Sequence, residues 1–215
     1  MSQIFPEWSN EIPKYLFAGV AFILIATAGF IWYYFSPEYT DSGYRPDQPV
    51  KYSHKLHAGD LGIDCRYCHT TVETSPVAAV PPTQTCMNCH KLILPESEKL
   101  LPVRESFATG DPIEWIRVHN LPDYAYFNHS AHVESGVGCI SCHGNVAEME
   151  IVMQVEPLSM GWCLECHRDP GKNLRPLSEV TNMKWIKTEN HDEFAGRFIL
   201  EHNISPPTDC SGCHR

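Results

Sequence analysis

The sequence has no excess of positive charge. Its 16 Lys and Arg stand against 26 Asp and Glu, a formal net charge of −10 over 215 residues. Nucleic-acid binding needs a basic stripe to neutralise phosphates, and none is present. A βαβ pattern of the kind that carries a thioredoxin-like redox motif is also missing. Charged residues are only 20% of the chain and hydrophobic ones 43%, which excludes wholesale disorder. Ten cysteines in 215 residues are too sparse for a small disulfide scaffold. None of them lies outside a single repeated pattern.

That pattern is Cys-x-x-Cys-His, present five times. The copies are Cys65, Cys68 and His69; Cys86, Cys89 and His90; Cys139, Cys142 and His143; Cys163, Cys166 and His167; and Cys210, Cys213 and His214. Chance at this composition would give about 0.03 copies. The pattern is the attachment signature of c-type haem. Both thiols add to the vinyl groups of one haem as thioethers, and the adjacent histidine ligates the iron on its proximal side. Structural zinc would pair Cys-x-x-Cys units two by two and leave a fifth unmatched. Disulfides would not need a histidine at the same offset each time. The expected cofactors are therefore five covalently bound haem c groups, with no catalytic residue assigned.

Residues 15–35 form an uncharged apolar run. As a helix it would span about 32 Å, the thickness of a bilayer core. Trp32, Tyr33 and Tyr34 suit one interface, and Phe5, Trp8 and Tyr15 the other. Ala26-Thr27-Ala28 resembles a signal-peptide cleavage site, but Glu7 and Glu11 precede the run and leave no positive n-region. The expectation is a retained single-pass anchor. The flanking Lys14, Arg45 and Lys51 orient it poorly. Covalent haem attachment places residues beyond it in the periplasm and the chain in the bacterial cytoplasmic membrane. Ala18, Ala21, Ala28 and Gly29 offer a small-residue face for a partner helix.

An internal repeat organises the rest. Tyr52-Ser53-His54-Lys55-Leu56-His57 precedes Cys65, and Phe127-Asn128-His129-Ser130-Ala131-His132 precedes Cys139. Each copy leads into two attachment motifs, and one motif is left at the C-terminus. The expected segments are 1–14 cytoplasmic, 15–35 transmembrane, 36–51 a tether, 52–118 and 119–180 two di-haem modules, and 181–215 a fifth-haem segment. So little chain per macrocycle cannot build a conventional core. The expected fold is mostly α and irregular, with little sheet and the porphyrins forming much of the interior.

Histidines at i and i+3 share a helical face, so one turn can serve two haems. His54, His57, His129 and His132 are accordingly expected as distal ligands. His119, in an apolar-aromatic stretch, is the candidate for the fifth. Met149, Met153, Met160 and Met183 compete, because thioether ligation also saturates iron. His202 and His191 read as surface, with His202 a lesser candidate.

The aromatic-x-His-x-x-His units before Cys-x-x-Cys-His resemble the small class III multihaem cytochromes c. The anchor, two modules, fifth motif and Met160-Gly161-Trp162-Cys163 together resemble the pentahaem cytochrome c subunit of bacterial alternative complex III. That resemblance implies an electron conduit inside a quinol-oxidising membrane complex. It implies as partners an iron–sulfur subunit, quinol-binding membrane subunits and a monohaem cytochrome. Two alternatives differ in kind. A stand-alone anchored quinol dehydrogenase would need its own quinol pocket, and a multihaem reductase would need one haem with an open site.

Overall fold

The computed structural model describes residues 4–214. The outermost positions of the expected end segments, 1–3 and 215, lie outside the described residues.

The apolar run folds as helix α1, Ile12–Tyr34, entered through a 3-10 turn at Glu7–Glu11. It starts slightly earlier than expected because Pro13 sits in its first turn, where a missing N–H loses no helical partner. It ends where Ser36, at ψ 149°, precedes Pro37, since proline keeps the residue before it out of the helical region. Its 23 residues rise about 34 Å, and none of its side chains is buried. It is the one helix among the described residues long and apolar enough to cross a membrane.

A short helix α2, Pro37–Thr40, follows. One compact unit ends at Asp41 and a second begins at Ser42. The segment expected as a tether is therefore shared: α2 belongs to the first unit, while Gly43 and Tyr44 already bond to Gln154 in the second, at 2.7 and 2.9 Å.

The second unit holds α3 (Cys65–Cys68), α4 (Thr83–His90), α5 (Leu101–Thr109), α6 (His129–Glu134), α7 (Ile140–His143), α8 (Met160–Arg168) and α9 (His191–Glu201). Among the described residues no sheet forms; only the bridges Ala125–His214 and Val137–Leu174 occur. The helices are short because polar caps start them and breakers stop them. Asp64, Asn128 and Ser159 each accept a backbone N–H at the start of α3, α6 and α8. Gly110, at φ 83°, ends α5.

The buried apolar interior is thin. Val50, Met87 and Val103 form one small cluster, lined by Leu100, Ile113 and Trp115. Leu174, Val180, Ala195 and Phe198 are also buried. Arg175 is buried beside them, donating to the Asn182 carbonyl at 3.1 Å and covering the Trp185 ring.

The two repeats interlock. The Lys55 N–H donates to the Met149 carbonyl, and Gly59 lies against the Ala147 carbonyl, where a Cβ would collide. Reciprocally, the N–H groups of His129 and Ser130 donate to Pro76 and Ser75 at 3.1 and 3.2 Å. Each His-x-x-His turn thus rests on the segment following the other repeat's first attachment motif.

Candidate haem-binding sites

In the second repeat His129 and His132 lie on the regular helix α6. In the first, His54 precedes a π-helical turn, Lys55–Asp60. The first copy has one more residue between its turn and its cysteines, and a π-turn is the way a helix absorbs an extra residue. The aromatic residue heading each copy has a definite place. Tyr52 stacks on His57 (centroids 4.5 Å, 23°) and meets His54 edge-on (4.8 Å, 87°). Phe127 repeats this on His132 (4.7 Å, 26°) and His129 (4.7 Å, 89°). One ring fixes two imidazoles.

These imidazoles oppose the histidines of the attachment motifs. His57 and His90 stand 6.2 Å apart between ring centroids, His132 and His167 6.1 Å, and His129 and His143 6.4 Å. That is too far for ring contact. A metal–nitrogen bond is about 2 Å and the ring centre lies about 1.1 Å behind its nitrogen, so two imidazoles on one iron sit about 6.2 Å apart. His54 lies near His69 and completes the pattern by repeat symmetry; burial and these neighbouring rings push its pKa down to about 4.

The second nitrogen of most of these rings is occupied. Nδ1 of His57, His69, His90, His129, His132 and His167 lies 2.7–2.9 Å from the carbonyls of Ser53, Ala79, Ile93, Pro76, Asn128 and Pro207 respectively. A carbonyl only accepts, so each Nδ1 carries the proton and each Nε2 presents a bare lone pair. Two rings differ: the His143 Nδ1 faces Nε2 of His119 at 3.3 Å, and the buried Nδ1 of His54 meets no hydrogen-bond partner. Burial and the surrounding histidines push the His143 pKa down to about 3, holding that ring neutral.

His119, expected at the fifth haem, therefore stands against His143 with ring centroids 4.3 Å apart. Among the described residues no imidazole faces His214; the ring beside it is Tyr124, at 5.9 Å. Met149 lies beside Gly144, next to the third motif. Met153 and Met183 are half-buried and Met160 is exposed. His202 is exposed and packs on Phe198 at 4.1 Å. His191 departs from its surface reading. It is buried at the start of α9, its Nε2 3.0 Å from the Gly171 carbonyl and its ring against Trp185, because the apolar face of α9 carries it inward.

None of the expected attachment cysteines is in a disulfide, and their surroundings differ. Cys65, Cys68, Cys86, Cys139, Cys142, Cys163, Cys166 and Cys213 are half-buried, whereas Cys89 and Cys210 are exposed. Burial pushes the Cys142 thiol up to about 12, with Cys163 and Cys166 close by. Two of them make further contacts within the chain. The Cys166 sulfur accepts the Asn173 amide at 3.3 Å, because the turn after α8 folds that side chain back over the fourth motif. Cys213 lies near Cys163 of the preceding motif, and its carbonyl takes the Tyr126 N–H at 2.7 Å beside the Ala125–His214 bridge. The fifth motif is thus held by a segment of the second repeat, which its place at the C-terminus does not announce.

No protein-family model matches the chain. Over 149 residues it is 33% identical to the multihaem cytochrome c subunit of menaquinone reductase from Nitratidesulfovibrio vulgaris. The chain is similar to a multihaem cytochrome c. The matched stretch is 68% of this chain and 62% of that protein, so the chain covers less than two thirds of its relative's length.

The donor set agrees with that likeness. Five Cys-x-x-Cys-His motifs are consistent with several covalent haem c groups. Among the described residues no three His, Cys, Asp or Glu side chains gather around a point that could hold a bare metal ion. The imidazoles come instead in opposed pairs, with an iron's width between them and little apolar side chain filling the interior. These residues fit haem. Sequence reasoning missed the carbonyls that fix each tautomer, because a backbone acceptor carries no residue signature. The role of Tyr52 and Phe127 was within reach, since both copies carry an aromatic two residues before the first histidine.

Proposed function

We propose that this chain is a membrane-anchored multihaem c-type cytochrome that relays electrons as a subunit of a quinone-reactive respiratory complex. The repeated set of opposed imidazole pairs at about the spacing of two ligands on one iron, most with Nδ1 held by a backbone carbonyl, carries the reading. Each motif holds one haem c through its two cysteines, with His69, His90, His143, His167 and His214 proximal. His54, His57, His129 and His132 are the distal ligands of the first four. Haem, when bound, supplies one-electron iron chemistry. The chain's part is to fix ring orientation, keep the imidazoles neutral and exclude water. We assign His119 to orienting His143 in place of a backbone carbonyl, and leave the sixth position at His214 to a donor other than imidazole.

At finer grain the best reading is the pentahaem subunit of an alternative complex III. In it α1 is a single-pass anchor in the bacterial cytoplasmic membrane, and the unit from Ser42 onward lies in the periplasm. The partners are then an iron–sulfur subunit, quinol-binding membrane subunits and a monohaem cytochrome, with electrons flowing from quinol to a periplasmic acceptor. The relative's name favours the opposite direction, into menaquinone; the same row of sites serves both, and the potentials of donor and acceptor set the sign.

A different class of function rests on His214. A multihaem reductase needs one open iron, and the fifth motif is where it would lie. Purification of the native complex tests all three readings. The expected result is a polypeptide carrying five haems by mass, co-purifying membrane and iron–sulfur subunits, and no nitrite reduction. Zinc in place of haem overturns the reading, and stoichiometric high-spin haem that reduces nitrite transfers it to the enzyme.

A further inference from the structure

The attachment motifs do not follow one another in space as they do in sequence. The first and second touch: Asn88, inside the second, donates to the Tyr67 hydroxyl, inside the first, at 3.2 Å. The first and third are joined through residues 180–181. The Cys139 N–H donates to the Val180 carbonyl at 3.1 Å, and the Thr181 hydroxyl donates to Asp64, the cap of α3, at 2.9 Å. The Cys65 and Cys139 side chains are also neighbours. The third and fourth share α6, whose His129 and His132 oppose His143 and His167. The fourth and fifth meet at Pro207, whose carbonyl accepts the His167 ring N–H at 2.7 Å. The Pro207 ring packs where a Cβ on Gly212, inside the fifth motif, would stand.

Among the described residues no comparable hydrogen bond links the second motif to the third. Among the described residues, the hydrogen bonds of α4 run within itself, to its flanks and to Tyr67. Exposure gives an independent indication. Of the ten motif cysteines only Cys89 and Cys210 are exposed, one in the second motif and one in the fifth. Leu92, Ile93 and Leu94, just after the second motif, are also exposed, at 87%, 56% and 64%.

We infer that the sites form one unbranched row in the order second, first, third, fourth, fifth, with the second and fifth as the ports where electrons enter and leave. The inference rests on the proposed haem-carrying function and adds its path. The crossing between repeats runs through the first and third motifs, where the interlocked turns hold the two halves together. An interior site then exchanges electrons with two neighbours, and a terminal site exchanges with one neighbour and one partner protein.

The order is tested in the intact complex. A structure of the haem-loaded complex should show the iron of the first motif flanked by those of the second and third. The iron of the second should have a single neighbour within the chain. Paired variants give a solution test: C86A/C89A removes a terminal site, and C65A/C68A removes an interior one. After mass analysis confirms loss of one haem from each, chemical reduction by a donor confined to one end is followed optically. All remaining haems of C86A/C89A should reduce together, whereas C65A/C68A should leave those beyond the break oxidised. The reverse result, or second and third irons as neighbours in the structure, overturns the order. If either variant fails to load its remaining haems, the structure of the unaltered complex decides alone. Wild-type chain without haem would defeat the proposed function itself, which is a separate outcome read from the mass.

Discussion

Six of these histidines are oriented by a carbonyl on Nδ1, and the four in the two repeated turns also pack against an aromatic ring. Replacing His57 or His132 by Ala removes the imidazole opposite His90 or His167 while leaving both cysteines in place. The covalent haem should remain and one iron per chain should become high-spin, seen by electron paramagnetic resonance. An unchanged low-spin spectrum would remove these residues from the ligand set. The Tyr52→Leu and Phe127→Leu changes should act more gently, because the ligands stay but lose the ring that holds both. Orienting groups around metal ligands typically alter affinity or activity by about 10–100-fold. The expected readout is a shifted potential at two haems rather than one, measured by spectroelectrochemical titration. The fifth haem should stand apart spectroscopically from the other four, since Tyr124 and not an imidazole lies beside His214.

At the scale of the element, the short helices depend on their caps. Asp64 accepts the Arg66 N–H at 2.9 Å, pairs with the Arg66 guanidinium and receives the Thr181 hydroxyl. Its Arg66 hydrogen bond holds its carboxyl down at about 2, against some opposing desolvation. A carboxyl with a depressed folded pKa stabilises the fold above its unfolded value of 3.8, and that contribution fades as pH falls from about 4 towards 2. Asp64→Ala should lower stability by about 1 kcal/mol near neutrality, mostly from the lost cap. The ion pair is roughly half exposed and adds little after screening. Melting curves at pH 7 and pH 2.5 check this: the difference between variant and parent should shrink at the lower pH. Gly136 is a second sensitive point. It holds φ 77°, and a Cβ there would stand 2.7 Å from the Arg175 carbonyl and 2.9 Å from the Phe198 ring. Gly136→Ala should therefore cost about 1–3 kcal/mol, again read by melting.

For the whole molecule, the division after Asp41 separates α1 and α2 from the unit that holds every motif. A secreted form beginning at Ser42 should take up the same number of haems as the full chain. On the proposed reading, which puts the quinol sites in companion subunits and makes α1 the anchor, it should accept electrons from chemical reductants but lose quinol-driven reduction. The comparison is quinol-driven haem reduction in membranes and in the secreted form, at matched haem content. Rapid, inhibitor-sensitive reduction of the secreted form by quinol would favour a stand-alone dehydrogenase.

Much of this protein is written in local sequence. Five identical motifs, an apolar run of bilayer length and two aromatic-x-His-x-x-His units are short-range patterns whose chemistry does not depend on the rest of the fold. They announce the mostly helical and irregular class and the multihaem character of the chain, and they carry the proposed anchor and proximal ligands. Partnership across the chain is another matter. That His57 faces His90 and His132 faces His167, that His119 turns to His143, and that His191 is buried were decided by packing between distant segments. So were the Asn173 amide on Cys166 and the Tyr126 N–H on the Cys213 carbonyl. The order of the sites is the clearest case. The first motif lies between the second and third only because each repeat's histidine turn docks on the other repeat's loop through backbone hydrogen bonds, which any residue can make and no sequence pattern marks.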